Sequence, residues 1–199
     1  MRIARLTQLA LTTASLTTAA LAVSCVATAC AAAPVPRKAA EFVIQNPDGK
    51  QQLLTSYRGK VVILALIHTT CPHCQKTAQF LTGLQKEYAD KGLQVLAAAW
   101  DDHAKENILQ FNRMFSVNFP CGFTTRKNVL DFLGQPESSP PFVPILVFID
   151  RTGSVRAQHM MTGDEGPDSA ETKWFNNMEP GIRAEVDRLL KAGPATSHK

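Results

Sequence analysis

Cys71 and Cys74, set in Thr70-Cys71-Pro72-His73-Cys74, are the residues of this chain best placed to do chemistry. A C-x-x-C pair can close a small disulfide within one helical turn and exchange it with thiols elsewhere. The flanking sequence fits that use. Directly before the pair runs Val61 to Ile67, an uninterrupted apolar stretch, and directly after it Gln75 to Lys91 is helix-compatible. A buried strand thus delivers the cysteines onto the first turn of a helix. Free N-terminal amides and the positive end of the helix dipole favour an anion there, so the first cysteine is the natural thiolate. Pro72 removes a backbone donor where the helix needs none, and His73 adds positive charge near the Cys71 sulfur. The reduced state gains from both features of this surround, so the site is expected to be more oxidising than one with Gly-Pro between its cysteines.

The compartment is written in the N-terminus. Arg2 and Arg5 precede a stretch from Leu6 to Val35 without a single charge, an apolar core diluted by threonine and followed by an Ala-rich exit. That is the pattern of an export signal more than of a permanent span. Two exits stay open: Ala27-Thr28-Ala29 fits an ordinary cleavage site, and Ala22-Val23-Ser24-Cys25 resembles a lipobox, which would lipidate Cys25 and attach the protein to a membrane. The expected location is periplasmic or otherwise extracytoplasmic. Without Arg2 and Arg5 the formal net charge falls from +4 to +2, a balance that gives no case for nucleic acid. The cysteines left beyond residue 33, Cys71, Cys74 and Cys121, cannot form two bridges, so a disulfide-stapled scaffold is excluded. Cys121 is either a small buried residue or a second thiol for resolving or bridging.

The remaining chain alternates strands and helices. Glu41 to Ile44 and Gln51 to Leu54 read as a hairpin around Asn46-Pro47-Asp48-Gly49. Leu93 to Ala99 and Pro144 to Ile149 read as further buried strands, and Phe119 to Phe123 as a brief one. Asp150 to Gly153 turns the chain into Ser154 to His159. Helices are expected over Ala104 to Phe115, Thr125 to Leu133 and Gly181 to Ala192, with Asp164 to Thr172 a loop. The pattern describes an α/β fold with a mixed central sheet between helical layers. Residues 1–33 are expected to be the signal or anchoring segment, 34–40 a linker, 41–192 the domain and 193–199 a disordered tail.

From about Glu41 to Ala192 the order of motifs resembles the thioredoxin superfamily, in its exported TlpA-like and ResA-like branch. The resemblance rests on Asp48-Gly49-Lys50, Arg58-Gly59-Lys60-Val61-Val62, Cys71-Pro72-His73-Cys74, Phe119-Pro120, Val143-Pro144 and Ile149-Asp150-Arg151-Thr152-Gly153. It implies a thioredoxin-like three-layer fold and a thiol–disulfide oxidoreductase acting on other proteins' cysteines, with no cofactor, no metal and a separate redox partner protein. It further implies that Cys71 attacks, that Cys74 resolves, and that Pro144 is a cis-proline facing them while Val143 offers backbone groups to a docked substrate. The same Pro-His dipeptide occurs in oxidising DsbA-like relatives.

The departures from the family matter equally. The acids that relatives place six residues before the first cysteine, or three after the second, are here Ala65 and Thr77. Asp101, Asp102 and His68 are the substitutes to consider as proton acceptor for Cys74, His68 first. Two other functions share this fold. A copper chaperone for respiratory oxidase assembly would use both cysteines and a distal histidine, His159 or His103, although copper-delivering relatives space their cysteines more widely. A thiol peroxidase would carry Pro-x-x-x-Thr-x-x-Cys, but those positions hold Leu64 and His68.

Overall fold

The computed structural model describes residues 33–138, 140–163 and 165–192. The expected signal segment, except Ala33, and the expected tail lie outside these residues.

Strand β4 (Val61–Ile67) is buried along its whole length. Val61, Ile63, Ala65 and Ile67 enter one apolar layer, and Val62, Leu64 and Leu66 enter the other. That is the consequence of a period-two side-chain pattern with both faces covered. β5 (Leu93–Ala99) pairs with β4 in parallel, from Val61 opposite Leu93 to Ile67 opposite Ala99. β7 (Phe142–Ile149) pairs antiparallel on the other side. With β1 (Arg37–Lys38), β2 (Val43–Gln45), β3 (Gln51–Leu53), β6 (Cys121–Phe123) and β8 (Ser154–Met161), the sheet runs β1-β8-β7-β4-β5-β6-β2-β3.

Helices close both faces. Leu81 and Leu84 of α1 (Pro72–Tyr88), Ile108 and Phe111 of α2 (Ala104–Met114), and Ile182 and Val186 of α5 (Met178–Lys191) cover the layer that contains Ala65. Val129 and Leu133 of α3 (Arg126–Leu133) cover the opposite layer, together with Phe42 and Leu54. The result is the expected three-layer, mixed-sheet α/β fold. The stop of α3 falls at Gly134, at φ 67°, as expected, whereas α1 ends at Tyr88 and a short 3-10 turn (Ala89–Lys91) carries the chain to Gly92, at φ 97°.

Three segments differ from the sequence reading. The end of the stretch read as a loop to Thr172 is already helical, the start of α4 (Ala170–Asn176), which is capped by the Ser169 hydroxyl accepting from the Thr172 amide at 3.0 Å. α4 is only two turns long and is held by tertiary contact: the Trp174 ring lies flat on His159 at 3.7 Å. α5 begins at Met178 rather than Gly181, because Pro180 is tolerated in a first turn. Gly181 is needed for another reason, since a Cβ there would stand 2.7 Å from the Trp174 indole nitrogen. Within the stretch read as a linker, β1 pairs with Ser154 and Val155, and the Arg37 guanidinium donates to Phe132 O at 3.1 Å and Gln158 Oε1 at 2.7 Å.

Candidate active site

Cys71 is the N-cap residue of α1, with extended backbone angles (φ −79°, ψ 120°), and Pro72 follows in the first turn. The Cys71 carbonyl accepts the first helical hydrogen bond, from the Gln75 amide at 3.0 Å. This places the Cys71 sulfur outside the helix and half-exposed, while Cys74, one turn in, is fully buried. Burial pushes the Cys74 thiol far above the usual range. A backbone hydrogen bond from His68 opposes this, and Cys71 and Asp101 add to it. The two sulfurs therefore differ in depth, the first half-exposed at the helix start and the second enclosed behind it.

β7 brings the opposite wall. Leu66 pairs with Ile145, so Val143 and Pro144 arrive level with the end of β4. The Val143–Pro144 peptide is cis, and the Cys71 thiol donates to Val143 O at 3.8 Å. His73 is exposed and borders the same space.

His68 touches the site through its backbone: its carbonyl accepts from the Cys71 amide at 3.3 Å. Its imidazole packs edge-on against Trp100, ring centroids 4.5 Å apart, and desolvation lowers its pKa against the pull of Asp101. Trp100 belongs to the layer opposite Cys74, so this side chain lies with the other face of the sheet. Asp101 is committed as well. It accepts from the Thr69 amide and the Thr69 hydroxyl, both at 2.7 Å, and so ties the loop after β5 to the loop that carries Cys71. Ala65 is fully buried in the layer with Cys74, and the Thr77 hydroxyl donates to His73 O at 2.8 Å.

Cys121 is buried in β6, opposite Ala97, where desolvation pushes its thiol up to about 12. That is the environment of an inert core residue. His159 is held by Trp174 and lies 3.3 Å from Glu171. Among the described residues no three His, Cys, Asp or Glu side chains are gathered at metal-ligand distance.

One part of the site had no signal in the sequence motifs. A cleft of about 550 Å³ opens beside Val143 and Pro144, walled by Phe142, Met161, Phe175 and Met178. These residues come from β7, β8, α4 and α5, and only the folded arrangement of those elements makes them neighbours. Phe142 is 62% exposed although it is a large apolar side chain.

Residues 35–158 match the AhpC/TSA family model, well over half of the chain. The chain belongs to the AhpC/TSA family. Its curated relatives include the thiol-disulfide oxidoreductase ResA of Geobacillus thermodenitrificans (strain NG80-2), 29% identical over 125 residues, which are 63% of this chain and 68% of the relative. ResA of Bacillus subtilis (strain 168) is 29% identical over 93 residues, 47% of this chain and 51% of the relative. The chain thus spans from about half to two thirds of the length of these relatives. Among solved structures, a thiol:disulfide interchange protein of the thioredoxin family from Chlorobium tepidum TLS superposes with a TM-score of 0.60 at 22% identity, covering 79% of this chain and 99% of that one. A thiol:disulfide interchange protein from Bacteroides sp. gives 0.57 at 15% identity, with 83% and 95% covered. This AhpC/TSA member has the thioredoxin fold of these solved structures.

Proposed function

We propose that the protein exchanges disulfides with protein substrates outside the cytoplasm, through Cys71 and Cys74. The observation that carries this reading is the contrast between a half-exposed Cys71 at a helix start and a fully buried Cys74 one turn behind it. In the reducing direction the Cys71 thiolate attacks one sulfur of a substrate disulfide. That S–S bond breaks, the other sulfur leaves as a thiolate, and a mixed disulfide to Cys71 forms. Cys74 then loses its proton and attacks the Cys71 sulfur, releasing the second substrate thiolate and leaving a Cys71–Cys74 disulfide. The oxidising direction is the reverse, and a separate dithiol or disulfide protein resets the pair in either case. Val143 O, 3.8 Å from the Cys71 sulfur, is placed to align the substrate chain during attack. Export is supported by the charge-free run after Arg2 and Arg5. Among the described residues no helix is long and apolar enough to cross a membrane.

The peroxidase and copper readings have less to stand on. Leu64, at the position of the peroxidase proline, is buried in the layer away from Cys74, and His159 is stacked on Trp174. Paired assays of insulin reduction and reduced-ribonuclease oxidation, with Cys71→Ser as control, test the proposal. Activity in at least one assay, abolished in the control, is expected. Inactivity in both, alongside peroxide consumption, would overturn it.

A further inference from the structure

Toward its end, β8 presents a histidine to the face covered by α1 and α5. His159 lies opposite Leu146, whose side chain belongs to the layer with Cys74. A polar ring enclosed there needs a partner, or its lost hydration stays uncompensated. α4 offers two. The Trp174 indole lies parallel to the imidazole, within 5° and with centroids 3.7 Å apart, and a Glu171 carboxylate oxygen stands 3.3 Å from His159 Nδ1. The two polar side chains are only 16% and 27% exposed. Among the described residues neither ring nitrogen of His159, nor the facing Glu171 oxygen, has a hydrogen-bond partner. What joins them is charge, and an imidazole is charged only while it carries both its protons.

The consequence falls on α4. Seven residues are too few for a helix that stands alone, so α4 depends on its seat. Phe148 meets both rings edge-on, 5.9 Å from His159 and 6.4 Å from Trp174, and Gly181 of α5 closes over the indole. Protonating His159 adds an ion pair with Glu171 and a cation–π contact with Trp174; deprotonating it removes both. We infer that the His159–Glu171–Trp174 cluster is a pH-sensitive latch for α4, closed in mildly acidic conditions and released as the pH rises through neutrality. A side chain stabilised in its protonated form contributes at low pH and loses that contribution as it deprotonates. No other charge competes for the ring from the elements around it. β7 faces the cluster with Phe148 and α5 with Gly181, and the remaining charge of α4, Lys173, pairs at the surface with Asp168 at 3.5 Å. The latch reaches the helix that begins at Cys71, because α4 leads into α5 at Met178, whose sulfur accepts from the Thr77 hydroxyl of α1 at 3.8 Å.

Hydrogen exchange of the full chain, corrected for intrinsic rates, tests the latch independently of the exchange reading. The amides of Lys173 to Asn176 are expected to be about fivefold better protected at about pH 5.5 than at about pH 7.5, while Val186 to Leu189 of α5 change less than about twofold. Glu171→Gln, which keeps the size of the side chain and removes its charge, should bring the α4 ratio to within about twofold, and His159→Gln should do the same. A wild-type ratio within about twofold, or a ratio that survives either variant with α5 still protected, overturns the latch. Should both variants lose protection in α5 as well, an NMR titration of the unmodified chain decides. The His159 ring and the α4 amides are expected to shift with one midpoint, and separate midpoints overturn the inference.

Discussion

Cys74 carries the chemical difficulty at the residue scale, since a thiol buried to this depth must ionise before it can attack. The family resemblance implies an acid nearby, but Ala65 and Thr77 fill those positions, Asp101 is bound to Thr69, and the His68 imidazole lies against Trp100. Burial raises the Cys74 pKa, so the thiolate is a minor species whose fraction grows about tenfold per pH unit. The resolution rate of a preformed Cys71 mixed disulfide, followed by stopped flow, is expected to climb with pH without levelling below about pH 9. A plateau near neutrality would reveal a base the structure has not identified. The sign reaches stability too. Cys121, at about 12 against an ordinary 9, stays protonated in the fold while the unfolded chain releases its proton. Its contribution is intact below pH 9 and is lost as the pH rises toward 12. Cys121→Ala should flatten that alkaline decline in denaturant titrations while leaving exchange intact, and native alkylation should label Cys71 before Cys121.

At the scale of elements, the reactive loop is fastened from β5. Two hydrogen bonds from Thr69 to Asp101 cross between the loops that end β4 and β5, and Thr69 is buried. Asp101→Ala leaves a buried amide and hydroxyl without their acceptor, which should cost roughly 1–3 kcal/mol in chemical denaturation and slow exchange through looser placement of Cys71. This level also shows where sequence reading reached and where it ended. β4 and β5 were legible to the residue because their apolar runs, unbroken in β4 and interrupted only by Gln94 in β5, are buried on both faces and admit no competing period. α4 was not, because seven residues containing a β-branched and two aromatic side chains carry little intrinsic helix signal, and the stack on His159 supplies what propensity does not. The same limit hid the apolar cleft, whose walls come from four separate elements. The placement of the cysteine pair at a helix start and the cis Val143–Pro144 peptide were visible in advance, the first from local spacing and the second from the resemblance in the order of motifs.

Across the whole molecule, the β7–β8 hairpin is pinned by Asp150, at its turn. Burial pushes its pKa up, but hydrogen bonds from Thr152, Ser154 and Arg156 outweigh this and hold it at about 2. A lowered carboxylate stabilises the fold above its ordinary 3.8, and that contribution is lost as the pH falls toward 2. Asp150→Asn is therefore expected to lower stability by roughly 1–2 kcal/mol at pH 7, with the deficit shrinking below pH 4 in acid titrations followed by circular dichroism. The fold sets two sulfurs at different depths, the half-exposed one 3.8 Å from Val143 O. Trapping measures that division most directly: Cys74→Ser, incubated with an oxidised protein substrate and analysed by non-reducing electrophoresis and mass spectrometry, should accumulate a mixed disulfide at Cys71, and Cys71→Ser should accumulate none. Adducts mapping to Cys74 or Cys121, or undiminished adducts in Cys71→Ser, would contradict the assignment of Cys71 as the attacking thiol.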